Sequence, residues 1–259
     1  MLLLNAGIAL ASTLEEGVDA RNRGDYAKAV GIFREWSAQG SPFSPFILGL
    51  MYEEGQGVAQ NYAEAAKWYQ LASTRGNPLA QGRLGLMYAK GRGVVQNNLE
   101  AVKLFRLAAA QGDAFAQDSL GSMYSSGHGV KQDYAESLKW HRLAAAHGLA
   151  HAQAILGAMY SEGIGGAKNY SEAAKWYRLA AAQGDAKAQV NLGFLYANGD
   201  GVALDEVRAL MWFEIGAASG DAKALDLRDR SVKLMKPQQI AQAKRMAQEC
   251  QQRKLKGCD

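Results

Sequence analysis

The sequence predicts an all-α fold built as a linear array of helical hairpins, and three observations carry that prediction. Gly-x-Gly tripeptides recur at an unbroken interval of 36 residues, at Gly55/Gly57, Gly91/Gly93, Gly127/Gly129, Gly163/Gly165 and Gly199/Gly201, and a period so strict marks one supersecondary unit used repeatedly. Each interval holds two stretches with apolar residues at helical spacing. The composition, 48% hydrophobic with four prolines among 259 residues, suits a folded, helix-rich chain. Length alone suggests one or two globular domains. The repeat favours a continuous solenoid instead, because each unit of such an array packs only on its neighbours.

Residues 1–11 form a short apolar run ending in Ala9-Leu10-Ala11. This has the form of a signal-peptide remnant with cleavage after Ala11, although a positively charged start is lacking. The other reading is an extra apolar turn of the first helix. Residues 12–40 are expected to cap the array at its N-terminal end, with Arg23-Gly24-Asp25-Tyr26 making a tight turn between two helices. Five units follow, over residues 41–76, 77–112, 113–148, 149–184 and 185–220.

Within a unit the first helix opens at an N-cap whose side chain can accept an orphan backbone N–H. That residue is Asn77, Asp113, Asp185 or Asp221, and Leu149 breaks the rule. Ala116, Leu120, Gly121 and Tyr124 then recur at helical spacing as a buried stripe. Glycine inside a helix costs roughly 1 kcal/mol against alanine, so its recurrence predicts close approach of a neighbouring helix. The Gly-x-Gly-Val turn ends the helix with the positive φ that glycine tolerates. The second helix opens at Asn61, Asn97, Asp133, Asn169 or Asp205. Glu64, Glu100, Glu136 and Glu172 lie three residues on, as in a capping box, while Arg208 at that position predicts a weaker fifth cap. Ala65, Trp68, Tyr69 and Ala72, with Trp140, Trp176 and Trp212, are expected in the core, Leu104 replacing the tryptophan once. Residues 221–259 should close the far end with helices, Pro237 suiting a first turn.

Charge separates the array from its tail. Residues 1–220 hold 19 Lys/Arg against 20 Asp/Glu, and residues 221–259 hold 10 against 5, so the net charge of +4 belongs to the tail. Cys250 and Cys258, the only cysteines, also lie there. They lack the second ligand pair of a zinc site. In an oxidising compartment they could close a short disulfide loop, and in the cytosol they would be two free thiols. Together with residues 1–11, they point to a periplasmic or secreted location, with the cytoplasm as the alternative.

The pattern Ala-x-x-x-Leu-Gly-x-x-Tyr-x-x-Gly-x-Gly-Val, then Asn/Asp, Ala and Trp, and a closing Ala-Ala-x-Gly, resembles the Sel1-like repeat, a relative of the tetratricopeptide repeat. The likeness covers residues 41–220, and residues 17–40 resemble a plain tetratricopeptide half-unit. The resemblance implies an α/α right-handed superhelix whose concave face, lined by first helices, binds other proteins or peptides. It also implies an adaptor role of the kind family members play in signalling, envelope regulation, secretion and host interaction.

With the core stripe assigned, the free face of the first helices falls at four rows of intervening positions. The first row is Phe43, Leu79, Phe115, His151 and Lys187, and the second is Phe46, Gly82, Asp118, Ala154 and Val190. The third is Ile47, Arg83, Ser119, Ile155 and Asn191, and the fourth is Leu50, Leu86, Ser122, Ala158 and Phe194. Their chemistry varies while the core stripe does not, which predicts a mixed groove for an extended or helical peptide. Phe46 and Ile47 could equally be covered by the N-terminal cap.

Catalytic signatures are missing. No phosphate loop, zinc helix or nucleophile elbow occurs, and the glycine pairs join two helices rather than following a strand. A cysteine-rich bacterial branch of the resembled family is linked to β-lactam binding or hydrolysis. This chain lacks that branch's paired cysteines and any Ser-x-x-Lys. Neither an enzyme nor a cofactor is expected. His128, His141, His147 and His151 cluster in one stretch, but no carboxylate or cysteine completes a ligand set, so no metal is expected either. Nucleic-acid binding, the alternative to a protein partner, would need a basic groove, and only the tail is basic.

Overall fold

A computed structural model describes residues 14–258, and among these every regular element is an α-helix. The expectation for residues 1–11 lies outside the described residues. Helix α1 covers residues 14–22 and α2 Tyr26–Ala38. The hairpins follow as α3 (Ser44–Glu54) with α4 (Tyr62–Thr74), α5 (Pro78–Lys90) with α6 (Asn98–Ala110), and α7 (Ala114–Ser126) with α8 (Tyr134–Ala146). Then come α9 (Ala150–Glu162) with α10 (Tyr170–Ala181) and α11 (Ala186–Asn198) with α12 (Glu206–Ala218). Two helices end the chain, α13 (Ala222–Leu234) and α14 (Pro237–Gln252).

Local chemistry accounts for most helix ends. Asn77, Asp113, Asp185 and Asp221 each accept the backbone N–H three residues on, whereas Leu149 supplies no side-chain cap. Asn61, Asn97, Asp133, Asn169 and Asp205 cap the second helices in the same way. The expected capping box is not formed. The backbone N–H of Asn61 is already donated to the Tyr52 carbonyl at 2.9 Å, and those of Asn97, Asp133, Asn169 and Asp205 go to the tyrosine at the same place in their own hairpins. The glutamates therefore turn outward to Lys67, Lys103, Lys139 and Lys175. Nor is the fifth cap stripped of partners: Arg208 donates its N–H to Asp205 at 2.9 Å and pairs its guanidinium with the same carboxylate at 3.1 Å.

The two glycines of each turn do different work. Gly91 ends α5 in the left-handed conformation at φ 64°, while Gly93 lies against the start of α4 in the preceding hairpin. A Cβ on Gly93 would sit 2.3 Å from the Tyr62 carbonyl, so the glycine there permits backbone contact between units. The helical glycine has a third role. A Cβ on Gly49 would come 2.4 Å from the ring of Tyr69, and one on Gly85, Gly157 or Gly193 would come 2.9, 2.6 or 2.5 Å from Phe105, Tyr177 or Phe213.

This corrects the assignment of the tryptophans. The core aromatic is the residue after each tryptophan, or after the Leu104 that replaces it once: Tyr69, Phe105, His141, Tyr177 and Phe213 are all buried, whereas Trp68, Trp140 and Trp176 are half-buried. Trp212 alone of the four is fully buried. Buried glutamines join successive units. Gln81, Gln117, Gln153 and Gln189 donate to the carbonyls of Ser73, Ala109, Ala145 and Ala181, as second donors beside the turn N–H groups of Gly76, Gly112, Gly148 and Gly184.

The chain divides into two compact units, the first running to Met123 with Gly127–Lys131, the second comprising Tyr124–Ser126 and the rest of the chain. In the first, Ala20, Ala29, Val30 and Phe33 of α1 and α2 close over Leu48 and Met51 of α3. In the second, α13 and α14 both pack on α12. Ala247, Cys250 and Cys258 join the cluster around Trp212 and Ile215, with Cys250 and Cys258 joined as a disulfide, Cα atoms 5.2 Å apart. No helix among the described residues is long and apolar enough to cross a membrane.

Candidate functional site

The first helices present the residues selected from sequence unequally. Leu79, Arg83, Phe115, His151 and Lys187 are exposed; Phe46, Ile47, Leu50, Leu86, Ile155, Asn191 and Phe194 are half-buried. The row containing Phe46 is largely covered, a correction to the expected free face: Gly82, Asp118 and Val190 are all buried. At Gly82 and Val190 the next first helix lies over the row. A Cβ on Gly82 would meet Asp113 and Phe115 at 3.5 and 3.6 Å, and Val190 packs with Ala224 of α13.

In the first unit the face is organised around the buried Tyr69. Its hydroxyl donates to Glu53 Oε2 at 2.6 Å, and Arg83 approaches the same carboxylate at 3.8 Å. Burial, and then the Glu53 carboxylate, hold the Tyr69 hydroxyl far above the usual tyrosine range. Phe46 lies against the Tyr69 ring with centroids 5.9 Å apart. Arg83 is thus partly committed within the chain, and Leu79 and Leu86 flank it.

In the second unit the same register builds a cleft. Tyr177 lies at its base, its hydroxyl 3.4 Å from Ser161 Oγ. Burial raises the Tyr177 pKa, and polar contacts with Ser161 and Asn191 offset part of that rise. Ser161, Tyr177, Asn191, Phe194, Asn198 and Asp200 line a cavity of about 310 Å³. Asn191 also borders a second cavity of about 300 Å³, with Lys187 and Lys223 beside it. Phe194 is held edge-on to Phe213 at 5.7 Å, and the Lys223 ammonium lies 4.8 Å from its ring. Amides, a hydroxyl, an aromatic face and two lysines suit a peptide whose backbone needs hydrogen bonds and whose side chains include a carboxylate. Ser161 Oγ donates to the Ala158 carbonyl at 2.9 Å, which commits its proton to the helix.

Sequence reasoning missed Glu53, Ser161, Tyr177 and Lys223. A signal for three of them was present 16 residues apart. Tyr69 faces Glu53 and Tyr177 faces Ser161, whereas Phe105 and Phe213 coincide in register with Ala89 and Ala197. Of the histidines, His141 takes the buried aromatic position, and His128, His147 and His151 are exposed.

Comparison with known proteins gives a consistent result. The family model described as Sel1 repeat matches residues 46–77, 78–113, 114–149, 150–185 and 186–221. Among solved structures, c5321, a protective antigen present in uropathogenic Escherichia coli strains and displaying an SLR fold, is 36% identical with a TM-score of 0.84. The alignment covers 90% of this chain and 51% of that one, so the chain spans about half of that relative. A Sel1 repeat protein from Oxalobacter formigenes is 35% identical over 83% of this chain and 86% of its own, with a TM-score of 0.76. No curated protein matches the chain.

Proposed function

The chain belongs to the Sel1 repeat family, and from that premise we propose that it is a non-catalytic scaffold holding a partner protein through a peptide segment. The segment lies along the first-helix face of the second unit, where Lys187, Asn191, Phe194 and Lys223 border two adjoining cavities. One observation carries this reading. Within one chain the core positions repeat from unit to unit, while the row Ile47, Arg83, Ser119, Ile155 and Asn191 changes chemistry at every step and stays partly exposed. A scaffold that used this row only for packing would not need isoleucine, arginine, serine and asparagine to alternate there.

The paired cysteines support a site of action in an oxidising compartment outside the cytoplasm. The neutral array argues for a protein ligand over a nucleic acid. The test is affinity capture from extracts of the source cells, comparing the full chain with a Lys187→Glu/Lys223→Glu variant. Both lysines are exposed, so the variant should keep its helical circular dichroism. A partner retained by the native chain and lost with the variant is the expected result. A partner retained equally by both, or none retained above bare resin, defeats the proposal.

A further inference from the structure

Every hairpin carries the same tyrosine near the end of its first helix, and in at least three places an arginine from the second helix before it closes over that ring. Arg34, Arg142 and Arg178 donate to the hydroxyls of Tyr52, Tyr160 and Tyr196, 18 residues on in each case. Their guanidinium carbons lie 6.0, 5.9 and 5.8 Å from the ring centroids. The register is constant, and the next member of the series is residue 70 opposite Tyr88. Residue 70 is glutamine. Its shorter side chain makes no hydrogen bond to Tyr88, and a cleft of about 590 Å³ opens there.

The walls of this cleft are Ala63, Ala66, Leu84, Val94 and the Tyr88 ring, which suit the methylene stem of an arginine. The tyrosine face attracts a cation, and the Tyr88 hydroxyl and the Gln70 amide oxygen are acceptors for N–H donors. Lys67 at the rim is no obstacle. It is paired with Glu64, and Lys139 and Lys175 occupy the same register beside Arg142 and Arg178.

We propose that the cleft over Tyr88 is a receptor for an arginine side chain of a partner protein, which supplies in trans the guanidinium that Arg34, Arg142 and Arg178 supply in cis. The cleft lies against α4 and the Gly93 turn, in the first unit. Its failure therefore leaves the peptide face of the second unit untouched.

The experiment is methyl-detected NMR of the full chain with labelled alanines, titrated with acetyl-Gly-Arg-Gly-amide and with the same peptide carrying uncharged, isosteric citrulline. Saturable shifts centred on Ala63 and Ala66 are expected for the arginine peptide, with the citrulline peptide at least about tenfold weaker. Gln70→Arg should abolish the shifts, because the chain then fills its own cleft, and Arg142 and Arg178 show that the fold accepts the residue. Tyr88→Phe, which keeps the ring, should weaken binding several-fold. Absence of saturation, equal affinity for citrulline, or shifts that survive Gln70→Arg would each overturn the assignment.

Discussion

Glu53 and Tyr69 offer a cycle in which the chain itself supplies the reference state. Glu53→Ala leaves a buried phenol without its acceptor, and a hydrogen bond to a charged group contributes about 1.5–3 kcal/mol. The ion pair from Arg83 adds little, since Arg83 is 46% exposed at 3.8 Å, which places it among pairs worth at most about 1 kcal/mol. Glu53→Ala should therefore cost about 2 kcal/mol. Tyr69→Phe should cost somewhat less, because Glu53 remains 16% exposed and retains Arg83 and water. The double variant pairs phenylalanine with alanine, the combination already present at Phe105 with Ala89 and at Phe213 with Ala197. It should recover most of the loss, giving a coupling energy of about 1–2 kcal/mol. Urea denaturation followed by tryptophan fluorescence, Trp68 lying beside Tyr69, provides the measurement. Repeat arrays can unfold in steps, so the four curves are fitted with a nearest-neighbour model. Additive single effects would refute the reasoning and make Glu53 an ordinary surface carboxylate.

Three further outcomes follow from the same geometry. Gly49→Ala places a methyl 2.4 Å from the Tyr69 ring and should destabilise by about 1–3 kcal/mol despite its better helix propensity. Gly31→Ala, in α2 with nothing within 4 Å, should stabilise by up to about 1 kcal/mol, and equal thermal shifts for the two would contradict the packing argument. The raised Tyr69 and Tyr177 pKa values mean that the folded state keeps both hydroxyls neutral while the unfolded chain ionises near pH 10. Their contribution is therefore complete below about pH 10 and declines above it. Tyrosinate absorbance should show two late-titrating groups that appear only with unfolding, and Tyr69→Phe should remove one. Opening the Cys250–Cys258 disulfide frees a loop closed over a sequence separation of 8. It should destabilise the α12–α14 cluster by about 2–3 kcal/mol, visible as a lower melting temperature with reductant that is absent in a Cys250→Ala/Cys258→Ala variant.

Much of the fold was legible because its determinants are local. Asp113 caps α7 through Ala116, and Gly91 terminates α5 by its own φ; both depend on residues a few positions apart. The site was less legible. A helical stripe identifies an inward face but not how far that face extends, so Gly82 and Val190 read as free although the next first helix covers them. The tryptophans misled for a related reason. Trp68 and Tyr69 are adjacent, and helical spacing tolerates either as the inward residue, whereas only the tyrosine faces Gly49.

By itself, the sequence determined the period, the helix boundaries, the caps and the contrast between repeating scaffold and varying surface. Each of these is decided by steric and hydrogen-bonding preferences within one hairpin. The tertiary structure decided everything that depends on which groups meet once one helix packs on another. The capping-box N–H is taken by the tyrosine carbonyl of the preceding helix, Glu53 is drawn inward to a buried phenol, and Gln70 leaves uncovered a ring that arginines close over elsewhere. Those outcomes are set by distance and burial between residues on different helices. The same 36-residue pattern is compatible with either result until the helices are packed.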